Sequence, residues 1–281
     1  MRVKYIMKLF SQIHQWIQHN SICIMFSRII QWDKIKSFIQ DFFSWLYMKK
    51  THFIFQSPKM SSIMYLPYYR IDDIQSTIFK TNNYYEFNTL DYICNRWENG
   101  KIGKELNNAI FIDIGANIGN HTLYFFNECH ASSSYCFEPV KDTFKILEKN
   151  ISLNNLTNRV HLYNIALGQK KGRASLSYYN SYNIGMAKLS NDSKGEYQVI
   201  SLDELKIDAN VKFIKIDVEG FELEVVRGMI KTLERYTPYI MIEIRHNLFN
   251  DIDTLLKKIG YNRLEINQNK ELQNCLYYPI N

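Results

Sequence analysis

The segment from Phe111 to Gly119, FIDIGANIG, places a carboxylate and two glycines at the end of a short apolar run. This pattern predicts a buried β-strand followed by a tight turn and a helix, which is the arrangement of a nucleotide-cofactor site. Asp113 would accept hydrogen bonds at the end of the strand, and the helix would present the positive end of its dipole. Asn117 stands where the dinucleotide motif G-x-G-x-x-G has its second glycine, so the segment alone does not predict a pyrophosphate site.

Charged residues also close three other predicted strands. Glu138 follows the second strand of the regular pattern, Asp217 and Glu219 follow the fourth, and Glu243 and Arg245 end the fifth. In an open parallel sheet, the carboxyl ends of the strands meet at one edge, where ligands bind. These residues therefore predict a polar pocket at that edge, although charge is also common at surface turns that bind nothing.

The position of Glu138 indicates a cofactor that contains ribose. Glu138 lies 19 residues after Gly119, where a carboxylate can accept hydrogen bonds from both ribose hydroxyls. Nicotinamide and adenosyl cofactors share this signal. S-adenosylmethionine brings an ammonium and a sulfonium instead of a pyrophosphate, and carboxylates with Asn117 suit those cations better than they suit phosphate. The site therefore favours S-adenosylmethionine.

A second group of charges is expected at the reacting end of the pocket. Lys215, Asp217 and Glu219 lie on one side of their predicted strand by its two-residue period, and Glu243 and Arg245 share a side in the same way. If the two strands are neighbours, these charges form one cluster with perturbed pKa values. The cluster would serve catalysis or form a structural ion-pair network. We expect Asp217 and Glu219 to contact the acceptor, because they lie beyond the last apolar residues of the strand.

Strands and helices alternate from residue 109 to residue 259, which predicts a doubly wound α/β fold with a mostly parallel sheet. Residues 168–197 are polar, and they are expected to interrupt this alternation as a hairpin or loop over the sheet. Residues 261–266 and 272–278, joined by a turn at 267–270, complete the sheet as a hairpin. The predicted strands are 109–114, 134–137, 159–165, 211–217 and 239–245, and the predicted helices are 118–128, 140–154, 221–236 and 248–259.

The composition predicts a folded chain with one catalytic-size domain and an appendage, because 46% of the 281 residues are hydrophobic and 22% are charged. The net charge of +6 arises in residues 1–50, which hold eight Lys and Arg against two Asp, so the rest of the chain is neutral overall. This argues against extended nucleic acid as a partner and favours small or uncharged substrates. The five widely spread cysteines include no C-x-x-C pair, which predicts reduced thiols, a cytoplasmic location and no metal site.

Residues 1–57 form a predicted N-terminal extension of two or three amphipathic helices, because apolar residues recur at helical spacing from Ile6 to Leu46. Residues 58–108 would form a linker and helical lead-in, and residues 109–281 the cofactor-binding domain. Polar residues interrupt the apolar run 9–27, so neither a spanning helix nor a signal peptide is predicted. The extension would pack as a helical cap on the domain or on a second copy, or its Lys, Arg and Trp residues would make peripheral contact with a membrane.

Five segments resemble, in this order and spacing, the FkbM-type family of S-adenosylmethionine-dependent methyltransferases: FIDIGANIGNHTLYFF, YCFEPV, VISLDEL, VKFIKIDVEGFELEVVRGM and PYIMIEIR. The resemblance covers roughly residues 84–266. It implies a class I methyltransferase fold, which is Rossmann-like, with a seven-stranded sheet whose last hairpin brings one antiparallel strand. It also implies S-adenosyl-L-methionine as cofactor and O-methylation of hydroxyls on saccharides, glycan precursors or other secondary metabolites.

The same resemblance assigns roles to site residues. The resemblance places five residues at the cofactor: Asp113, Gly115, Asn117, Gly119 and Glu138. It places Asp217 and Glu219 at the reacting end. Methyl transfer to a hydroxyl requires the acceptor oxygen to be held in line with the departing sulfur, and it requires a proton acceptor. The candidates for that acceptor are Asp217, Glu219, His121 and His246. A histidine has the most suitable ordinary pKa, although a lone histidine at the start of a helix also commonly contacts backbone or water.

Two further segments are expected to border the pocket. By the same resemblance, Tyr85 and Glu86 would close over it. Residues 168–197 would shape the acceptor pocket with aromatic and sulfur side chains, namely Tyr178, Tyr179, Tyr182 and Met186. Two other functions remain open: a nicotinamide-dependent oxidoreductase, which would require a glycine near residue 117, and a membrane-associated scaffold that keeps the fold without transfer activity.

Overall fold

The structure is a computed structural model that describes residues 53–180, 183–205, 207, 210–268 and 271–280. The predicted helices between Ile6 and Leu46, with their packing or membrane contact, lie outside the described residues. The described part begins with a hairpin of β1 (Ile54–Gln56) and β2 (Ile63–Tyr65), followed by α1 (Asp73–Thr81), α2 (Phe87–Asp91) and α3 (Lys101–Leu106).

Seven strands form the central sheet: β3 (Ile110–Ile114), β4 (Ser133–Phe137), β5 (Val160–Tyr163), β10 (Val211–Ile216), β11 (Tyr239–Arg245), β12 (Tyr261–Gln268) and β13 (Leu272–Pro279). Their order is β12-β13-β11-β10-β3-β4-β5, and β13 is antiparallel to both of its neighbours while the other pairs are parallel. The chain moves from β3 outward to β4 and β5, and it later returns to β10 on the other side of β3. The predicted class I, Rossmann-like sheet is confirmed, and its strand order reverses between β3 and β10.

Helices and a second, smaller sheet join these strands. The helices are α4 (Asn120–Asn127), α5 (Lys141–Leu153), α6 (Glu222–Arg227), α7 (Ile230–Tyr236) and α8 (Phe249–Lys258). The second sheet has the order β6-β9-β7-β8 and consists of β6 (Ala166–Leu167), β7 (Gly172–Asn180), β8 (Asn183–Asn191) and β9 (Tyr197–Ile200). Strands β7 and β8 pair in antiparallel fashion, so the hairpin predicted within residues 168–197 is confirmed.

The two-residue period of β3 and β10 divides their side chains between two hydrophobic cores. Phe111 and Phe213 belong to the core on one face of the sheet, and the isoleucines that follow them in each strand belong to the core on the other face. Asp113 and Lys215 share the face of the two phenylalanines, and they are direct partners in the parallel register of β3 with β10. Register therefore places a carboxylate beside an ammonium inside the sheet.

Two predicted elements are divided in the structure. The helix predicted over 221–236 breaks between α6 and α7 at Gly228, which lies so close to Gly168 that an added Cβ would be 1.9 Å from the Gly168 carbonyl oxygen. Met229 then has a non-helical φ of −129°. The strand predicted over 159–165 ends at Tyr163, and the chain continues into β6 of the second sheet.

Residues before β3 are part of the packed fold. The β1–β2 hairpin spans the boundary predicted at residue 57, and the backbone N–H of Ile63 donates at 2.9 Å to Oδ1 of Asn154, the residue that follows α5. Met64, Ile78 and Leu90 are fully buried, so the range predicted as linker and lead-in contributes to the core. Among the helices that the structure describes, none has the length and apolar character needed to cross a bilayer.

Candidate active site

Glycine is required where the turn after β3 touches the turn after β10. Gly115 has a φ of +77°, and an added Cβ would lie 1.8 Å from the Asp217 carbonyl oxygen. The Asp217 N–H donates to the carbonyl of Ile114 at 3.0 Å. Gly119, with φ of +86°, faces helix α5 instead, where an added Cβ would lie 2.8 Å from Leu147 Cδ1. The two glycines of the motif thus have different roles: one permits a close approach of two turns and the other permits helix packing.

Glu138 fastens the glycine turn to the end of β4. Its Oε2 accepts the Asn117 backbone N–H at 3.0 Å and its Oε1 accepts the Val140 N–H at 2.8 Å. Asn117 is in the left-handed region with φ of +50°, which asparagine tolerates better than most residues. Burial raises the pKa of Glu138 to about 7, although both hydrogen bonds and the charge of Lys215 act in the opposite direction.

A cavity opens at the carboxyl ends of β3, β4, β10 and β11, next to the point where the strand order reverses. Five predicted site residues line it: Gly115, Asn117, Glu138, Asp217 and Glu219. Tyr85 and Glu86 also line it, as expected for residues that close over the pocket. Asp113, Gly119 and His121 are not among the residues that line it, so contact of these three with a ligand stays a prediction.

Asp113 lies beneath the cavity because the sheet directs its side chain into the core. It is fully buried, it accepts a hydrogen bond from Thr122 Oγ1 at 2.6 Å, and its Oδ1 is 3.4 Å from Lys215 Nζ. Lys215 also donates to the Gly115 carbonyl at 2.7 Å and lies 3.5 Å from Asp217 Oδ2. Burial by itself would lower the pKa of Lys215, but the charges of Asp113 and Asp217 outweigh it, so the pKa is raised.

Lys215 was expected only as one member of the charged cluster. Its central contacts depend on the alignment of β10 with β3, which the sequence does not display. The available signal was a lysine inside an otherwise apolar strand, because such a residue needs a buried carboxylate as partner.

The carboxylates at the ends of β10 and β11 form the cluster that the strand pattern predicted. Oxygens of Asp217, Glu219 and Glu243 all lie within 4.8 Å of one another, and Arg245 Nη2 is 2.6 Å from Glu219 Oε2. Burial, followed by the charges of Asp217, Glu86 and Glu219, raises the pKa of Glu243 to about 9. The raised pKa favours the protonated form of Glu243, which can donate a hydrogen bond. No metal was predicted from the sequence, yet this group has the size and ligand type that a divalent cation accepts.

His121 contacts the lead-in segment and not the cavity. Its side chain is largely buried, and its Nε2 lies 3.3 Å from Oε2 of Glu86, which does line the cavity. The side chain is directed this way because α4 begins at Asn120, so His121 leaves the helix on the side covered by residues 84–87. His246, the other candidate histidine, is exposed after β11 and does not line the cavity.

The β7–β8 hairpin borders the cavity through small and aliphatic residues. Ala187 and Leu189 of β8 line it, and neither residue type marks a binding site in the sequence. Tyr178 is 44% exposed, and the Lys188 ammonium lies over its ring at 5.4 Å. Tyr178 is therefore not part of the wall, while Tyr182 and the side chains of Tyr179 and Met186 lie outside what the structure describes.

The family model described as the methyltransferase FkbM domain matches residues 113–263. That range is more than half of the chain. This chain belongs to the FkbM methyltransferase family. The match includes Gly115 and Asn117 of the glycine turn, Glu138, and the cluster of Asp217, Glu219 and Glu243. Tyr85 and Glu86 lie before the matched range.

Individual relatives of this FkbM-family chain match over part of their length. The chain is 30% identical over 135 residues to the hexuronic acid methyltransferase AglP of Haloferax volcanii, covering 47% of this chain and 54% of that protein. It is 24% identical over 146 residues to methyltransferase 1 of Beauveria bassiana, covering 43% and 58%. A solved FkbM methyltransferase from Methylobacillus flagellatus is 20% identical with a TM-score of 0.46, covering 60% of this chain and 43% of that one. The matched region thus spans little more than half of these curated relatives.

Proposed function

We propose that this FkbM-family chain is an S-adenosylmethionine-dependent O-methyltransferase that acts on a hydroxyl of a saccharide, a glycan precursor or a secondary metabolite. The observation that carries the proposal is one cavity with Glu138 at one end and the cluster of Asp217, Glu219 and Glu243 at the other. A relative named as a hexuronic acid methyltransferase supports the saccharide class of acceptor.

The residues at the glycine turn fit an adenosyl cofactor. The buried Oδ1 atom of Asn117 has no hydrogen-bond partner within the described chain, so it is left to accept from a ligand. Each oxygen of Glu138 accepts one backbone N–H and keeps a further lone pair for a ribose hydroxyl. No lysine or arginine lines the cavity in the described ranges, which suits a sulfonium better than a pyrophosphate.

At the cofactor end, Gly115, Asn117 and Glu138 would hold S-adenosylmethionine, which supplies an electrophilic methyl group when bound. At the other end, Asp217 and Glu219 would accept hydrogen bonds from acceptor hydroxyls. Protonated Glu243 would donate one. Such contacts orient the acceptor oxygen, and orientation is the main contribution that a protein makes to this displacement.

Calorimetry with the full chain tests the cofactor assignment. We expect S-adenosylhomocysteine to bind and NAD⁺ not to bind, because the wall of the cavity is acidic. The reverse result would support an oxidoreductase and remove the methyltransferase proposal. The exposed Asp142→Asn variant serves as a control for nonspecific loss of carboxylate charge and should bind like the wild type.

Incubation with radiolabelled methyl donor and separate glycan, small-molecule, lipid and RNA fractions tests the acceptor class. We expect label in the glycan or small-molecule fraction that is stable to mild base, as an ether is. Asp217→Asn should abolish this label and Asp142→Asn should preserve it. Label in RNA alone, or an ester-linked label, would contradict the proposed acceptor.

A further inference from the structure

Building on the proposed function, we propose that Glu86 is the catalytic residue that accepts the proton from the acceptor hydroxyl, and that His121 is the positioning residue that holds its carboxylate. Neither the glycine-turn motif nor the matched family range contains Glu86. It enters the site from the lead-in segment that precedes β3.

The backbone at Glu86 is held in a strained position at the cavity wall. Asn120 fixes the preceding residue from the first turn of α4: its Oδ1 accepts the Tyr85 N–H at 2.9 Å, and its Nδ2 donates to the Tyr85 carbonyl at 3.1 Å. Glu86 itself is left-handed, with φ of +57°. A glutamate in this region costs about 1 kcal/mol, and such strain is concentrated at functional sites. The Asn120 contacts thus hold the backbone next to Glu86, which lines the cavity.

Three other acidic residues of the wall are already engaged by a cation or by the backbone. Glu219 is paired with Arg245 at 2.6 Å, and Asp217 lies 3.5 Å from Lys215, the ammonium that is also paired with Asp113. Glu138 binds two backbone N–H groups at the opposite end of the cavity.

Glu243 is suited to donating a hydrogen bond. Its oxygen lies within 4.8 Å of those of Asp217 and Glu219, and burial with the neighbouring carboxylates raises its pKa to about 9, which favours the protonated form. In that form it donates to the acceptor and does not take up the acceptor's proton.

Glu86 differs because its partner is an imidazole, His121 Nε2, at 3.3 Å. Burial would raise the pKa of Glu86, but the contact with His121 and the charges of His121 and Lys215 outweigh burial and lower it. Glu86 is thus ionised and ready to accept. The charged groups that face it are His121 from α4, Lys215 from β10 and Glu243 from β11. Unlike the guanidinium that holds Glu219 and the ammonium beside Asp217, an imidazole does not carry a fixed charge.

Methyl transfer and proton transfer together need only the acceptor hydroxyl, Glu86 and the proposed methyl donor. As the acceptor oxygen bonds to the methyl carbon, the carbon–sulfur bond breaks and its electron pair stays on sulfur. The hydroxyl proton passes to a carboxylate oxygen of Glu86. After the products leave, Glu86, whose side chain is 22% exposed, returns the proton to solvent.

A measurement without cofactor or acceptor tests the positioning role. Carbon-detected NMR of the full chain, labelled at glutamate carboxyls, would follow the titration of Glu86, and its signal would be assigned by its absence in Glu86→Gln. We expect His121→Gln to raise the pKa of Glu86, because a hydrogen bond and a positive charge are removed. His161→Gln, at an exposed histidine stacked on Tyr135, should leave it unchanged. An unaltered Glu86 titration in His121→Gln would overturn the positioning role.

Turnover of the labelled glycan fraction tests the catalytic role. Glu86→Gln should lower kcat by about 100- to 10,000-fold, the range for loss of a general base, while S-adenosylhomocysteine affinity stays within about threefold. The exposed Glu148→Gln should keep wild-type kcat. His121→Gln should move the acidic limb of the kcat–pH profile to higher pH, which loss of packing alone would not do.

Two outcomes contradict the catalytic assignment: Glu86→Gln retains kcat within about threefold of the wild type, or His121→Gln leaves the acidic limb in place. The second decides the matter if Glu86→Gln does not fold. Failure of the proposed function is distinguishable, because the wild type would then neither bind S-adenosylhomocysteine nor transfer label, whereas the carboxyl titration would still report on the Glu86–His121 contact.

Discussion

The Nζ atom of Lys215 lies 3.4 Å from Oδ1 of Asp113, and both side chains are almost completely buried in the sheet. The same ammonium donates to the Gly115 carbonyl at 2.7 Å. One buried cation thus compensates the carboxylate of the glycine-turn motif and fixes the turn itself. The pair joins the cofactor end of the cavity to the strand that carries the reacting end.

We predict that Lys215→Met destabilises the chain by about 3–5 kcal/mol, because it leaves Asp113 as a buried and unpaired charge. Urea unfolding measured by circular dichroism would give the free energy of unfolding. The double variant Asp113→Asn/Lys215→Met should recover most of the loss, since neither charge remains. Lys149→Met, on the exposed side of α5, is the control. Equal stability of the single and double variants would show that the two side chains are not coupled.

Alanine at three glycines should separate steric overlap from backbone strain. Gly115→Ala is expected to prevent folding or cofactor binding, because its Cβ would lie 1.8 Å from a backbone oxygen. Gly260→Ala has a similar positive φ with no neighbour within 4 Å, so it should cost only about 1–2 kcal/mol. Gly119→Ala should fall between them, because its obstacle is the movable end of Leu147. Thermal unfolding of the three variants checks this order, and a Gly115→Ala chain as stable as Gly260→Ala would contradict it.

Glu243 should make stability decrease with rising pH. Its pKa is about 9 in the folded chain and ordinarily 4.5, so the folded state binds the proton more tightly. The stabilisation is present below about pH 4.5 and is lost progressively as the pH rises toward 9, at up to about 1.4 kcal/mol per pH unit.

The Glu243→Gln variant cannot titrate at this position. Its free energy of unfolding, measured in urea at pH 6 and pH 8, should therefore fall less than that of the wild type. Glu148→Gln, at an exposed position, should follow the wild type. A slope in Glu243→Gln identical to that of the wild type would show that Glu243 is already ionised.

Glu138→Gln should weaken S-adenosylhomocysteine binding by about 10- to 100-fold, because hydrogen bonds to a charged acceptor contribute about 1.5–3 kcal/mol. The glutamine side chain can accept only one of the two backbone N–H groups, of Asn117 and Val140, that the Glu138 carboxylate accepts. Its NH₂ group would face the other N–H. Calorimetry measures the affinity, with Asp142→Asn as the matched change at an exposed carboxylate. Unchanged affinity in Glu138→Gln would place the ribose elsewhere.

The β8 strand should affect the acceptor through Leu189 and not through Tyr178. Leu189→Ala enlarges the cavity wall and should change KM for the labelled glycan fraction while leaving S-adenosylhomocysteine affinity within about threefold. Tyr178→Ala, at a residue exposed outside the wall, should change neither. Equal loss of both affinities in Leu189→Ala would indicate that β8 contacts the cofactor.

Local patterns in the sequence were sufficient to predict the central sheet and most of the residues at the cofactor end of the cavity. The alternation of strands and helices, the glycine turn at Gly115 and the spacing to Glu138 are properties of neighbouring residues, and each has a direct geometric meaning. The same holds for Asp217 and Glu219, which follow an apolar strand and therefore had to emerge at its carboxyl end.

The tertiary structure decided which side chains reach the cavity. Asp113 meets Lys215 because two strands about a hundred residues apart align in one register, and this removes Asp113 from the wall. His121 contacts Glu86 because the lead-in segment packs on the first turn of α4. His121, a candidate base in the sequence, therefore lies beside Glu86, the base that we propose. Period and turn chemistry depend on adjacent residues and can be read along the chain. Register and packing depend on contacts between distant segments, so they are set only when the whole chain has folded.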